Sequence, residues 1–189
     1  GFLHYDMNHM PGYYALSALL HTVVQDAVVA GRAISLMGGL VALGLAVRLA
    51  VALGGPRTGW LAGLLLVVQP EFSLYAASSL REPVAAAFFL GVITALGGER
   101  LRLAGWCAAG AFLVRFDSVL VMVPLLCVHA HGRGGGMRRM REALWPLGMA
   151  IFAWALYCRI DHGTWVFWSH SVQVNLETGL GGEAEQPGQ

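Results

Sequence analysis

The amino-acid sequence predicts an all-α, polytopic membrane protein, and three observations lead to that prediction. Of the 189 residues, 57% are hydrophobic and 12% are charged, whereas soluble domains are roughly 45–50% apolar and about 25% charged. A chain of this size has too much surface to hide such an apolar excess in its interior. The apolar residues also fall into stretches close to the roughly 20 that a helix needs to cross a bilayer.

Charge and cysteine content exclude several other classes of protein. The formal net charge is +1, which gives no field that would attract nucleic acid. The three cysteines, Cys107, Cys127 and Cys158, are widely spaced and form neither a metal-binding motif nor a disulfide framework. The bilayer itself is therefore the first partner that the composition predicts.

Six membrane-spanning helices are expected, each bounded by charged residues or by Gly and Pro. Asp26 has the side chain of a helix N-cap and directly precedes the first stretch. Pro70 predicts a kink or an early end in the second, and Pro83 occupies a first-turn position in the third. The six predicted spans are 27–54, 60–77, 83–98, 101–114, 118–131 and 143–158.

Two flanking segments complete the predicted organisation. The stretch 12–25 is amphipathic and too short to span, so it is predicted to lie at the membrane interface. Residues 1–26 then form an extracytoplasmic segment with an interfacial helix, and residues 27–158 form the transmembrane domain. Residues 159–189 form an extracytoplasmic C-terminal segment.

The positions of the arginines predict the orientation of these helices. The connections near Arg57, Arg100 and Arg102 and over 132–141 are rich in Arg and alternate so that they fall on one side. Short loops rich in Arg remain in the cytoplasm. Both ends of the chain are therefore expected outside, and we expect a bacterial cytoplasmic (inner) membrane.

Charged residues on the extracytoplasmic side are the first candidates for chemistry, because charge near a bilayer is costly. An Arg beside an acid at a helix junction is more often a structural ion pair or a helix cap than a site. Two histidines without helical spacing are likewise weak as a metal motif. Three groups qualify as candidates: His4, Asp6 and His9; Arg81 and Glu82; and Arg115 and Asp117.

The order of several short motifs resembles that of the membrane glycosyltransferases of the GT-C fold. Within that fold, the chain resembles the lipid-linked aminoarabinose transferases and the bacterial enzymes similar to protein O-mannosyltransferases. The likeness extends over about residues 6–174. The motifs that carry it are His9-Met10-Pro11-Gly12-Tyr13-Tyr14, Asp26 with Arg32, Gln69-Pro70, Arg81-Glu82, and Arg115-Phe116-Asp117.

This resemblance implies transfer of a sugar from a polyprenyl-phosphate donor on the extracytoplasmic face. It also implies inversion at the sugar carbon, with a carboxylate as general base. The family's principal carboxylate and a further helix are expected upstream of Gly1, so whether this chain alone is an enzyme stays open. The resemblance implies that Asp6 and Glu82 are catalytic carboxylates. It implies that His9, Arg81 and Arg115 bind the donor phosphate and that Asp117 organises the site. It also implies that His9 and Glu82 bind a divalent metal ion.

A second hypothesis requires no catalytic base. The chain is then a noncatalytic helical membrane subunit or scaffold, and its partners are the protein subunits of a larger complex. A transporter is disfavoured, because the sequence shows neither an internal repeat nor paired interrupted helices.

Overall fold

The computed structural model describes residues 10–132 and 136–162, and all regular structure in these ranges is helical. The all-α prediction is confirmed. Residues 10–152 form one compact unit, and the described part of a second unit is 153–162, where the rings of Trp154 and Tyr157 stack. The elements are α1 (Pro11–Val24), α2 (Ala27–Gly54), α3 (Pro56–Val68), α4 (Pro70–Ala77), α5 (Glu82–Gly97), α6 (Leu101–Val114), a 3-10 turn (Phe116–Ser118), α7 (Val119–Gly132) and α8 (Gly136–His162).

Local chemistry sets two helix boundaries as predicted. The Asp26 carboxylate accepts hydrogen bonds from the backbone N–H groups of Val28, at 2.8 Å, and Val29, at 3.0 Å. These bonds, the one from Val29 first, lower the pKa of Asp26, as expected for a carboxylate at a helix N-cap. Pro70 separates α3 from α4, whose axes differ by 68°. The N-cap and the break are both confirmed.

The start of the last helix is one place where the sequence prediction is wrong. A connection was expected over 132–141, but α8 already begins at Gly136. Arg138 Nε lies 3.4 Å from Glu142 Oε1, one helical turn further on, and Arg102 Nη2 of α6 lies 3.8 Å from the same oxygen. Such pairs offset the repulsion between neighbouring arginines and favour the helical conformation here.

Two helices, α2 and the 136–160 part of α8, are long and apolar enough to cross a membrane. The bent pair α3–α4 would make a third if it counts as one broken span. The predicted spans in α5, α6 and α7 are shorter apolar helices. Six spans therefore stay a prediction.

Large apolar side chains on the outside of the described helices agree with a membrane environment. Only 17% of the most hydrophobic window of α2 is buried. The side chains of Trp60 and Leu65 on α3 are 82% and 70% exposed, and that of Leu40 on α2 is 59% exposed. Continuous apolar faces of this kind are rare on soluble monomers and are what a lipid-facing helix presents.

Glycines allow the closest helix contacts within the unit formed by residues 10–152. A Cβ at Gly38 of α2 would lie 2.8 Å from the backbone nitrogen of Val84 in α5. A Cβ at Gly12 of α1 would lie 2.6 Å from the carbonyl oxygen of Leu113 in α6. Small residues at such crossings let helix backbones approach each other. Together these contacts hold α1 and α2 against the start of α5 and the end of α6.

A chain of hydroxyl groups ties α1 and α2 to the residue that precedes Arg81. Ser35 Oγ donates to the carbonyl oxygen of Leu80 at 2.6 Å. The Tyr13 hydroxyl lies 3.0 Å from both Ser35 Oγ and the carbonyl oxygen of Gly31. Because the Ser35 hydroxyl donates its proton to the carbonyl oxygen of Leu80, the one hydroxyl proton of Tyr13 is shared between Ser35 Oγ and the carbonyl oxygen of Gly31. The Tyr-Tyr motif thus has a structural role in positioning the start of α5.

Replacing Tyr13 with Phe removes this hydroxyl and leaves the ring in the core formed with Val84 and Val114. We expect the free energy of unfolding to fall by about 1 kcal/mol, the usual net contribution of one hydrogen bond. Thermal unfolding in detergent measures the change. Tyr75→Phe is the matched control, because the Tyr75 side chain is 42% exposed and makes no hydrogen bond within the described ranges. Equal stability of Tyr13→Phe and the parent would contradict the proposed role.

Candidate functional site

Two of the three charged groups singled out in the sequence come together at one end of α5 and α6. Helix α5 begins at Glu82, directly after Arg81, and α6 ends at Val114, before the 3-10 turn that carries Asp117. The two helices pack side by side in opposite directions, with Gly91 against Cys107. The start of α5 therefore lies beside the end of α6. We call Arg81, Glu82, Arg115 and Asp117 the charge cluster.

Arg115 and Asp117 form a bidentate ion pair. Arg115 Nε donates to Asp117 Oδ1 at 3.1 Å, and Nη2 donates to Oδ2 at 2.7 Å. This hydrogen bonding is the largest cause that lowers the pKa of Asp117 and raises the pKa of Arg115. The charge of Arg81 also lowers the pKa of Asp117, and that of Glu82 raises the pKa of Arg115. The two halves of the cluster therefore interact electrostatically.

The ion pair between Arg81 and Glu82 is longer than that between Arg115 and Asp117. Arg81 Nε lies 3.9 Å from Glu82 Oε1, which is an ion pair but is too long for a hydrogen bond. The other carboxylate oxygen, Glu82 Oε2, is buried and has no hydrogen-bond partner within the described part of the chain. A buried acceptor without a partner is uncommon and costly. Glu82 Oε2 therefore lacks the hydrogen bond that a buried acceptor normally has.

Ser118, beside the Arg115–Asp117 ion pair, is also buried without a hydrogen-bond partner for its side chain in the described residues. Ser118 is 3% exposed, and its Oγ has no hydrogen-bond partner in residues 10–132 and 136–162. Its backbone N–H donates to the carbonyl oxygen of Arg115 at 3.1 Å, which places the hydroxyl at the junction of α6 and α7. Nothing in the sequence singled out Ser118 except its position after Asp117.

Glu82 and Ser118 both line one cavity of about 350 Å³. That volume lies within the roughly 300–1,000 Å³ of small-molecule sites. Apolar walls surround a few polar groups, which is the usual composition of such sites. The cavity is lined by Glu82, Ala85, Ala86, Phe89, Arg115, Asp117, Ser118 and Val121.

The remaining predicted site residues have a different status. Asp6 and His9, together with His4, lie outside the described residues. The predicted meeting of His9 with Arg81 and Glu82 is therefore untested. Arg115, which was assigned to the donor phosphate, and Asp117, which was assigned an organising role, both line the cavity directly.

The described side chains alone do not fit a metal site. In the ranges that the structure covers, no three His, Cys, Asp or Glu side chains come together. Both oxygens of Asp117 already accept from Arg115, and Glu82 Oε1 is in an ion pair with Arg81. Metal binding by His9 and Glu82 stays a prediction.

The opposite ends of α5 and α6 carry a second group of charges, which we call the arginine end. Arg139 Nη2 lies 3.4 Å from Glu99 Oε2, and Arg102 Nη2 lies 3.8 Å from Glu142 Oε1. Arg100 lines the same shallow cavity as these four residues. About 24 Å of α5, 16 residues at 1.5 Å each, separates the arginine end from the charge cluster.

Residues 10–132 and 136–162 define a helical fold with two, or up to three, candidate membrane spans and a cavity with charged residues in its lining at one end of two packed helices. No protein-family model, curated protein or solved structure matches this chain. The resemblance of its short motifs to those of the GT-C glycosyltransferases therefore stays a prediction. Of these, Arg81-Glu82 and Arg115-Phe116-Asp117 supply the charge cluster.

The Arg115–Asp117 pair has a testable dependence on pH. Because pairing lowers the pKa of Asp117, its contribution to stability is fully present above the usual aspartate pKa of about 3.9. That contribution is lost as the pH falls through the lower pKa of the folded state. We expect the difference in melting temperature between the parent and Asp117→Asn to be constant between about pH 5 and 7 and to shrink below about pH 4. A difference that changes between pH 5 and 7 would contradict the assignment.

Proposed function

We propose that this protein is a membrane glycosyltransferase that transfers a sugar from a polyprenyl-phosphate donor to an acceptor on the extracytoplasmic face. One observation carries the proposal: Glu82 lines one cavity together with Arg115 and Asp117, which lie more than thirty positions later in the sequence, and one carboxylate oxygen of Glu82 has no hydrogen-bond partner among the described residues. A transferase of this type requires cations for a phosphate and a base for an acceptor hydroxyl. The charge cluster contains both.

The donor phosphate would be bound by the two arginines. Arg115 uses two of its five N–H groups on Asp117, so three remain. Arg81 makes an ion pair but no hydrogen bond through its guanidinium within the described residues. Guanidinium groups bind phosphate oxygens through paired, charge-assisted hydrogen bonds. Donors fixed beside the departing phosphate stabilise the charge that develops on it.

Glu82 would act as the general base. Its carboxylate takes the proton of the acceptor hydroxyl while the acceptor oxygen forms a bond to the sugar carbon. The bond from that carbon to the phosphate oxygen breaks at the same time, and the electron pair leaves with the polyprenyl phosphate. Attack from the face opposite the leaving group inverts the sugar carbon. Ser118 is placed to hydrogen-bond a sugar hydroxyl or a phosphate oxygen in the cavity.

The arrangement of charges supports the proposed orientation in a bacterial inner membrane. The arginine end and the charge cluster lie at opposite ends of α5 and α6. Arginine-rich connections favour the cytoplasmic side. The charge cluster would then face outside, where the polyprenyl-linked donor is used.

Cysteine labelling tests this orientation. In a protein whose three native cysteines are replaced by alanine, we expect Gly98→Cys to react only from the cytoplasmic side. Ser79→Cys, before the charge cluster, should react only from outside. Both positions are exposed, so a membrane-impermeant maleimide reaches them. Labelling of the two positions from the same face would contradict the proposed orientation.

A further inference from the structure

An apolar groove along α5 is separate from the proposed active site. It has a volume of about 590 Å³ and lies mainly between α2 and α5, with a contribution from α6. Its floor includes Ile34 and Val41 from α2 and Phe88 and Gly91 from α5. Along α5 the groove extends from Val84 to Gly98, about 21 Å at 1.5 Å per residue.

The groove and the cavity of the charge cluster use opposite faces of α5. Val84, Phe88 and Gly91 line the groove, whereas Glu82 and Phe89 line the cavity. At about 100° per residue, these two sets point roughly 180° apart around the helix axis. A ligand in the groove is therefore not the sugar donor in the cavity.

The groove ends in two arginines, Arg48 of α2 and Arg100 at the α5–α6 connection. Both are exposed, and neither has an ion pair or a hydrogen bond from its side chain in the part of the chain that the structure covers. The neighbouring Arg102 and Arg139 differ, because each is paired with a glutamate. The mouth of the groove therefore has two positive charges without acidic partners.

A threonine with a buried hydroxyl lines the same groove. Thr94 lies one helical turn before Gly98, and its Oγ1 has no hydrogen-bond partner within the described residues. The polar groups of the groove are thus concentrated toward its arginine end, and the other end is apolar. This division matches a molecule with a long apolar tail and an anionic head.

We infer that the groove binds one acyl chain of an anionic phospholipid, with the lipid phosphate on Arg48 and Arg100. The hydrocarbon layer of one leaflet is about 15 Å deep, half of the roughly 30 Å core, so the groove accommodates an acyl chain of that leaflet. Paired guanidinium groups are suited to a phosphate. The arginine end is the end that the positive-inside rule assigns to the cytoplasm, and the cytoplasmic leaflet is rich in anionic lipid.

A helix of another protein is a less suitable occupant. An apolar helix in the groove would cover Arg48 and Arg100 without supplying a negative charge, and burying an unpaired charge is costly. A phospholipid supplies its own phosphate at the required end. A phospholipid is therefore the occupant of the groove that its charges favour, and the test below distinguishes it from a second copy of the chain.

Titration of the purified protein in neutral detergent tests this inference. The probes are fluorescent phosphatidylglycerol, which is anionic, and the phosphatidylcholine of the same chains, which is zwitterionic. We expect phosphatidylglycerol to bind at least about tenfold more tightly, a difference of about 1.4 kcal/mol. The double substitution Arg48→Gln and Arg100→Gln should abolish this preference. Ala87→Phe, which narrows the groove at one of its lining residues, should weaken binding of both lipids.

Arg57→Gln is the matched control. Arg57 is also exposed and was assigned to the same side of the membrane, but it does not line the groove. It should leave the preference for phosphatidylglycerol unchanged. Equal binding of the two lipids by the parent would overturn the inference, as would an equal loss in Arg57→Gln and in the double variant. Self-association that Ala87→Phe prevents, without any lipid preference, would make the groove an interface between copies and would also overturn it. None of these measurements depends on sugar transfer.

Discussion

Replacing Glu82 with Gln is expected to reduce sugar transfer at least about 100-fold, the lower range of what a general base contributes. The amide keeps the size and shape of the carboxylate but does not accept a proton from the acceptor. Stability should change little. Glu82 lies in the first turn of α5, where a negative charge contributes only about 0.3–1 kcal/mol through the helix dipole.

The assay follows the release of labelled sugar from polyprenyl-phosphate-mannose and polyprenyl-phosphate-aminoarabinose in membranes that contain the protein. Glu99→Gln is the matched control, because Glu99 lies at the other end of α5 and pairs with Arg139. It should leave transfer within about twofold of the parent. Normal transfer by Glu82→Gln, or a large loss of stability, would identify Glu82 as a structural cap. A parent protein that transfers neither sugar would favour the noncatalytic subunit.

Replacing Gly105 with Leu is expected to have the largest effect on stability. A Cβ at Gly105 of α6 would collide with the carbonyl oxygen of Ala143 in α8, and two ring atoms of Pro146 lie 3.0 Å from the same point. A backbone carbonyl does not rotate away as a side chain does, so α6 and α8 must separate. We expect a loss of at least about 3 kcal/mol, the upper range for overpacking.

Gly44→Leu provides the control for this substitution. Gly44 is a helical glycine of α2, and a Cβ there meets nothing within 4 Å. Leucine should be neutral or slightly stabilising at this position, because it has a higher helix propensity than glycine. Thermal unfolding in detergent compares the two variants. A melting temperature of Gly105→Leu within a few degrees of the parent would show that α6 and α8 do not make this contact.

Features of the fold that depend on adjacent residues could be predicted from the sequence. The Asp26 side chain has its hydrogen-bond partners two and three residues ahead, and a proline such as Pro70 ends a helix through its own ring. The pair of Arg138 with Glu142 at the start of α8 is also local, because the two residues are four positions apart. The pair of Glu142 with Arg102 joins α8 to another helix, and periodicity in one stretch of sequence does not contain that contact.

The candidate site also has features that the sequence predicts and features that depend on packing. An Arg near an acid is visible in the sequence, which predicts Arg81 with Glu82 and Arg115 with Asp117 as candidates. The free oxygen of Glu82 and the buried hydroxyl of Ser118 are results of packing. No local pattern indicates which polar atom will be buried without a partner.

Binding of polyprenyl phosphate to the purified protein tests most directly that the charge cluster is a lipid-phosphate site. The comparison is between the double variant Arg81→Gln with Arg115→Gln and the double variant Arg48→Gln with Arg100→Gln. We predict at least about tenfold weaker binding for the first, or about 1.4 kcal/mol, and binding equal to the parent for the second. Unchanged binding by the first variant, or a loss confined to the second, would contradict the proposal.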